Sequence, residues 1–275
     1  MPNFKITIQY DGTSYKGWQI LSDRSDTIQG KLQDILSRLV PSAVIIGSGR
    51  TDAGVHAIGQ VANFHMTLPQ GMSAEDLLLY INKYLPEDIA VTSIEEVDER
   101  FHARYSAKSK TYRYRIHVSP ISNPFEKRFV YHYQNREHSE NPTLDVAAMR
   151  QAASLLVGTH DFMSFCGNKH MKKSTVRTID SIEISEIYEK SPNSLGSQST
   201  PEKCALKELQ IDYTGDGFLQ NQIRIMTGTL IEIGTHRRAA DDISVILESR
   251  DRASAGYTAP PQGLCLMRVI YKSSF

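Results

Sequence analysis

Phe4, Ile6, Ile8 and Tyr10 alternate with Lys5, Thr7 and Gln9, a period of two that predicts a half-buried strand running into an Asp11-Gly12 turn. The period then lengthens. Ile28, Leu32, Ile35, Leu36 and Leu39 fall on one helical stripe, opened by Asp26 with Gln29 three residues on and closed before Pro41. The apolar run Val44-Ile45-Ile46 predicts a strand, a glycine-rich loop follows, and a further strand is expected from about Gln60 to His65. Ser73 with Asp76 starts a second helix, whose Leu77, Leu78, Ile81 and Leu85 line one face, and Ile89 to Val97 reads as a strand. The order β-α-β-β-α-β is the split unit of ferredoxin-like folds.

The second half repeats the pattern. Tyr112, Tyr114, Ile116 and Val118 share one strand face, and Thr111, Arg113, Arg115 and His117 the other. Asn141-Pro142 opens a helix carrying Leu144, Ala148, Leu155 and Leu156, which Gly158 ends. Strands are expected around Val176 to Ile187 and Leu206 to Tyr213, joined through the polar hairpin tip 191–201. A helix from about Gln220 to Ile233 stops at Gly234, a shorter one covers Ile243 to Leu247, and Leu264 to Tyr271 is a closing strand. The pattern predicts an α+β chain of two similar ferredoxin-like halves, residues 1–104 and 105–275. Their mixed sheets are expected to join around a central cleft, the natural place for a ligand.

Composition narrows what that cleft can hold. With 31 basic and 31 acidic residues in 275, the chain has no global polyanion-binding signature, so a nucleic-acid role requires uneven charge. Arg100, Arg104, Lys108, Lys110, Arg113, Arg115, Lys127, Arg128 and Arg136 form a basic stretch whose only acid is Glu126, and Lys169, His170, Lys172, Lys173 and Arg177 form another. Two clusters interleaved with aromatics suit an RNA-facing groove better than a merely solvated face. The three cysteines, Cys166, Cys204 and Cys265, are odd in number and widely spaced, which argues against a disulfide framework and a cysteine metal site. The histidines, His56 and His65 included, lack ligand-like spacing, so no metal is assigned. The residues from Met1 to Lys5 contain no apolar signal core, and no run of about eighteen apolar residues occurs, so a cytoplasmic protein is expected.

The chemistry concentrates in Gly47-Ser48-Gly49-Arg50-Thr51-Asp52-Ala53-Gly54-Val55-His56-Ala57. A loop leaving a buried strand is where a rigid scaffold presents function, and its glycines allow φ > 0 and close approach of another backbone. An Asx-turn would explain Asp52 alone. It does not explain Arg50 two residues earlier, a cation expected to orient that carboxylate and lower its pKa.

In order along the chain, Tyr10-Asp11-Gly12-Thr13 with Tyr15 and Gly17-Trp18-Gln19, the Gly47–Ala57 loop, Phe101-His102-Ala103-Arg104, Lys110-Thr111-Tyr112-Arg113-Tyr114, Gly158-Thr159-His160-Asp161-Phe162, Arg177-Thr178-Ile179 and Ala259-Pro260-Pro261-Gln262-Gly263-Leu264 make seven blocks. Together they resemble the tRNA pseudouridine synthase A family nearly end to end. The resemblance implies a cofactor-free enzyme that isomerises uridine to pseudouridine in the anticodon stem-loop of tRNA, and a homodimer whose subunits grip one tRNA. It implies catalytic roles for Asp52, Tyr112 and Arg224. Arg50 looks like the family residue that fills the gap left by an extruded nucleotide. One block departs. Where the family usually has an aromatic-His-Met stretch, this chain has Phe218-Leu219-Gln220-Asn221-Gln222-Ile223-Arg224, with the arginine kept.

Pseudouridylation breaks the ribose C1′–uracil N1 bond, rotates the base and joins C1′ to C5. It requires an anionic group beside sugar and base, and a base lifted from its stack. Asp52 suits the first need whether it attacks C1′, attacks C6 or abstracts a proton. Arg224 is expected to pair with it and hold it ionised. Tyr112 offers a ring to stack on the flipped uracil and a hydroxyl to move a proton, so it is also a substrate contact. Arg104, Lys110, Arg113 and Arg177 are read, with Arg50, as substrate-binding groups on the RNA backbone. Three rivals remain at this point. A noncatalytic RNA-binding protein of the same fold lacks the RNP-type aromatic string here and would leave Asp52 superfluous. A hydrolase would want a second carboxylate or a metal cluster. A paralogue with a shifted RNA target would keep the chemistry.

Overall fold

The computed structural model describes residues 1–20, 26–134, 144–168, 171–190 and 204–271. In chain order the elements are β1 (Asn3–Tyr10), α1 (Ile28–Leu39), β2 (Ile46–Gly47), β3 (His56–His65), α2 (Ala74–Tyr84), β4 (Ile89–Val97), β5 (Ala107–His117), β6 (Tyr131–His132), α3 (Val146–Leu156), β7 (Gly158–Asp161), β8 (Val176–Lys190), β9 (Cys204–Gly215), α4 (Gln222–Gly234), α5 (Asp242–Ser249) and β10 (Leu264–Tyr271). The chain is mixed α and β and divides into two compact units: residues 1–112 with 265–275, and residues 113–264.

In the first unit the alternation in β1 buries Phe4, Ile6, Ile8 and Tyr10 and pairs the strand antiparallel with β3 on one side and β4 on the other. β2 adds antiparallel to β3, and β10 runs parallel to β3 with Cys265 beside His56. The helices close the buried face. α1 presents Ile28, Leu32, Ile35 and Leu36, all 3% exposed or less, and α2 presents Leu77 and Ile81. Each such side chain contributes roughly 1.5–3 kcal/mol by burial. α2 begins at the expected capping box, Ser73 Oγ accepting from Asp76 N while Asp76 accepts from Ser73 N.

Two expectations are corrected here. The cap of α1 is Thr27, whose Oγ1 accepts from Gly30 N at 3.2 Å, rather than Asp26. Asp26 is engaged with Lys16 at 2.7 Å, and Gln29 reaches outward, its Oε1 accepting from Ile20 N and its Nε2 donating to Ile45 O. The strand expected at Val44–Ile46 is only Ile46–Gly47. The Gln33 side chain takes over the pairing: it donates to Ala43 O and accepts from Ile45 N, so these groups need no neighbouring strand.

In the second unit β9 lies between β5 and β8, β8 pairs antiparallel with β9 along nearly its whole length, and β7 adds antiparallel to β8. α4 is buried almost all round and packs with α3. α3 starts at Val146, capped by Asp145, whose Oδ1 accepts from Ala148 N at 2.9 Å. The expected Asn141-Pro142 start and the hairpin tip 191–201 lie outside the described residues. β7, not anticipated from its polar sequence, shows that two of the seven blocks are cross-strand neighbours: His160 lies opposite Arg177 and Thr159 opposite Thr178.

Candidate active site

The glycine loop of the first unit is held by the segment just before α1. Tyr10 Oη and Thr51 Oγ1 are 2.8 Å apart, both buried, and Trp18 N donates to Thr51 O at 3.1 Å. Gly54 N donates to Tyr15 O, and Gly12 N donates to His56 Nδ1 at 3.0 Å. Asp11 Oδ1 approaches that same nitrogen at 3.2 Å. The glycines make the fit possible. A Cβ on Gly12 would lie 2.0 Å from Val55 O, and one on Gly17, at φ +94°, would lie 2.6 Å from Thr51 O. The first and second blocks of the sequence are thus one object, a loop and its cradle.

Asp52 leads the tight turn that closes when Val55 N donates to Asp52 O at 3.2 Å, with Gly54 at φ +77°. Asp52 is half-buried. Tyr112, in the last part of β5 that belongs to this unit, is 6% exposed, and burial pushes its hydroxyl far above its ordinary range. Tyr10 and the Asp52 carboxylate act in the same direction, which sets Asp52 and Tyr112 in one electrostatic neighbourhood. At neutral pH Tyr112 is a protonated phenol.

Arg50 is exposed and has no hydrogen bond or ion pair among the described residues, so the expected grip on Asp52 is not seen and its guanidinium faces solvent. Arg104 is also exposed. It stacks 5.8 Å over the ring of Tyr105, itself 78% exposed, and His102 packs on that ring at 4.3 Å. This cation and aromatic cluster was missed as a unit, although Arg104 within an aromatic-rich block was the signal for it.

Other basic residues are committed elsewhere. Lys110 Nζ donates to Ser48 O at 2.8 Å and packs against Gly49, bracing the glycine loop. In the second unit Arg113 makes a two-pronged pair with Asp212 at 2.7 and 2.8 Å, and Arg115 pairs with Glu208 and Glu126. Two residues of the basic stretch read from the sequence, Arg113 and Arg115, are therefore in ion pairs with acids on β9, 99 and 93 residues away along the chain. Arg177 is half-buried and turns its Nη1 back onto Ser174 O and Val176 O. Lys172 and Lys173 are exposed, and Lys169 and His170 lie outside the described residues.

Arg224 lies in the first turn of α4. Its Nε donates to Ala259 O at 2.7 Å and its Nη1 to Asn221 Oδ1 at 2.8 Å, while Ala259 N donates back to Arg224 O. The Ala259–Leu264 block also accommodates Tyr114: its hydroxyl donates to Pro260 O at 2.7 Å, and a Cβ on Gly263 would strike its ring at 2.7 Å. Within each unit, blocks legible as motifs thus turn out to be mutual packing partners.

A half-buried carboxylate on a braced loop, in one electrostatic neighbourhood with a buried, protonated tyrosine, is an arrangement suited to acid–base or covalent carboxylate chemistry. The comparison with known proteins defines it further. Residues 6–106 and 152–272 match the family described as tRNA pseudouridine synthase. The chain is 43% identical over 267 residues to the tRNA pseudouridine synthase A of Bacillus sp. (strain KSM-64), covering 97% of this chain and 98% of that one. It is 41% identical over 270 residues to tRNA pseudouridine synthase A 2 of Bacillus anthracis (98% and 99% covered) and 41% over 274 residues to tRNA pseudouridine synthase A of Limosilactobacillus reuteri (strain DSM 20016; 98% and 97%). The chain belongs to the tRNA pseudouridine synthase family, and it is an enzyme of the isomerase class.

Proposed function

We propose that the enzyme converts uridine to pseudouridine in the anticodon stem-loop of tRNA, with Asp52 as the essential carboxylate. The observation that carries this reading is the joint placement of Asp52 and Tyr112 in the first unit, the carboxylate on a loop locked by Tyr10, Trp18 and two glycines. Such bracing fixes a reacting group in advance, and preorganisation of this kind is what charge-stabilising catalysis requires. Attack at C1′, addition at C6 and proton abstraction all need the same ionised carboxylate. The reaction is balanced within the nucleotide: C1′–N1 breaks, C1′–C5 forms, C5 gives up its proton and N1 gains one. Tyr112, held neutral, stacks on the extruded uracil and acts as a relay, since a phenol accepts a proton only while handing its own onward.

Exposed Arg50 and Arg104 contact the RNA, Arg50 as the planar cation that takes the place of the lifted nucleotide. Arg224 is retained as a group the chemistry needs, on its kept place in the late block. The antiparallel pairings of β1 with β3 and β4, and of β2 with β3, support the ferredoxin-like reading of the N-terminal half, and a second such unit is proposed in residues 105–275. A homodimer in the cytoplasm completes the reading, on the family resemblance alone. Among the described residues no helix is long and apolar enough to cross a membrane.

Incubation with unmodified tRNA and no added cofactor, followed by mapping of pseudouridine, tests the proposal. Pseudouridine in the anticodon stem-loop is expected. Bound but unchanged tRNA would favour a noncatalytic RNA-binding protein, cleaved RNA or free uracil would favour a hydrolase, and pseudouridine confined to another region would mark a shifted target.

A further inference from the structure

The stretch Gln220-Asn221-Gln222 leads into α4. We infer that Asn221 is a positioning residue that aims the guanidinium of Arg224, an inference that rests on the reading that Arg224 serves the reaction. Asn221 occupies the N-cap position of α4, where an asparagine ordinarily turns its side chain to the helix's free N–H groups. Here it makes no such cap. Its Oδ1 instead accepts from Arg224 Nη1 at 2.8 Å, one helical turn further on. The start of the helix is secured by other means: Ile225 N donates to Asn221 O, and Gln222, 1% exposed, accepts from Leu219 N at 2.7 Å through its side chain.

The backbone and the neighbourhood of Asn221 are consistent with a side chain that is aimed. Its φ of 58° and ψ of 4° are left-handed, a conformation asparagine tolerates better than any residue with a branched or bulky side chain. Gly167 closes the other side of the amide. A Cβ on Gly167 would lie 2.5 Å from Asn221 Nδ2, and Gly167 N donates to Gln220 O at 2.8 Å, so the amide is seated directly on glycine backbone. With Ala259 O holding Nε at 2.7 Å, two of the three guanidinium nitrogens of Arg224 are tied to fixed acceptors of the second unit. A planar fork held at two points has one orientation.

Two variants test this. Asn221→Gly keeps the left-handed backbone and deletes only the amide, and Gly167→Ala keeps the amide but pushes it out of place. Each is expected to lower the single-turnover rate at saturating tRNA about tenfold, the usual effect of losing one hydrogen bond to a charged group, with tRNA affinity unchanged. Gly167→Ala should add nothing once Asn221 is glycine, and Asn221→Gly should add nothing once Arg224 is alanine. A wild-type rate in Asn221→Gly, or an equal further loss on the Arg224→Ala background, overturns the inference while leaving the role of Arg224 standing. If Arg224→Ala itself turns over at the wild-type rate, Arg224 has no part in the reaction and the inference falls with it.

Discussion

Gly12→Ala is a single methyl group aimed at the backbone that carries Asp52, the proposed reacting carboxylate. Gly12 has no left-handed φ, so the substitution brings no backbone strain of its own; its cost is the overlap. The new Cβ would lie 2.0 Å from Val55 O and 2.6 Å from Val55 C, whereas ordinary contact begins near 3.4 Å, so cradle and loop must part by about 1.4 Å. The obstruction is main chain, which cannot rotate away as a side-chain tip does, and Val55 is three residues from Asp52 in the turn they close together. Misplacement of a reacting group by about 1 Å costs on the order of a hundredfold in rate, and overpacking of this kind costs about 1–3 kcal/mol of stability. Single-turnover pseudouridine formation at saturating tRNA should therefore fall about a hundredfold, at a temperature where calorimetry shows the variant still folded. Gly71→Ala is the control: at φ +84° with nothing within 4 Å, it should lose about 1 kcal/mol and keep its rate. A Gly12→Ala enzyme that is destabilised yet turns over normally would refute the idea that the Tyr10–Trp18 segment sets the position of Asp52.

The ion pairs on β5 change what salt titrations should show. Because Arg113 is held by Asp212, Arg113→Ala should leave the slope of log affinity against log salt nearly unchanged, whereas removing exposed Arg50 or Arg104 should each flatten it by about one unit in a filter-binding series; a flattened slope in Arg113→Ala would show that this arginine leaves Asp212 for phosphate. Tyr112→Phe keeps the ring and loses the hydroxyl, so turnover should drop sharply with little change in affinity, and near-normal turnover would leave only a stacking role. The same residue bears on alkaline stability. Tyr10, Tyr112 and Tyr213 are raised in the folded state above the ordinary value of 10.0, chiefly by burial, so their contribution is intact below about pH 10 and is lost as pH rises beyond it. The melting temperature should fall from pH 10 upward, more shallowly in Tyr112→Phe, and an identical slope in that variant would contradict the assignment.

The sequence carried much of this because the structure-forming signals are local. The period of β1, the Ser73 capping box and the stripe on α1 are each complete within a dozen residues, and they appear where the pattern puts them. The loop that carries Asp52 was legible for the same reason, since it is continuous in sequence. What stayed hidden depends on partners far apart in the chain. Asp212 and Glu208 on β9 pair with Arg113 and Arg115, Gln33 replaces a strand at Val44, and Lys110 donates to Ser48 O. Nor does any local signal announce that β10 returns to lie beside β3. The contact of Asn221 with Arg224 likewise required the turn geometry that places Oδ1 on the guanidinium.

Asp52→Asn keeps the size of the side chain and removes only its charge. Mixed with saturating unmodified tRNA, it should form no pseudouridine above trace in a single-turnover assay while binding tRNA with near wild-type affinity, because the proposed reading assigns affinity to exposed cations and chemistry to the carboxylate. Pseudouridine formed by this variant at a rate comparable to wild type would contradict that division and remove Asp52 from the reaction.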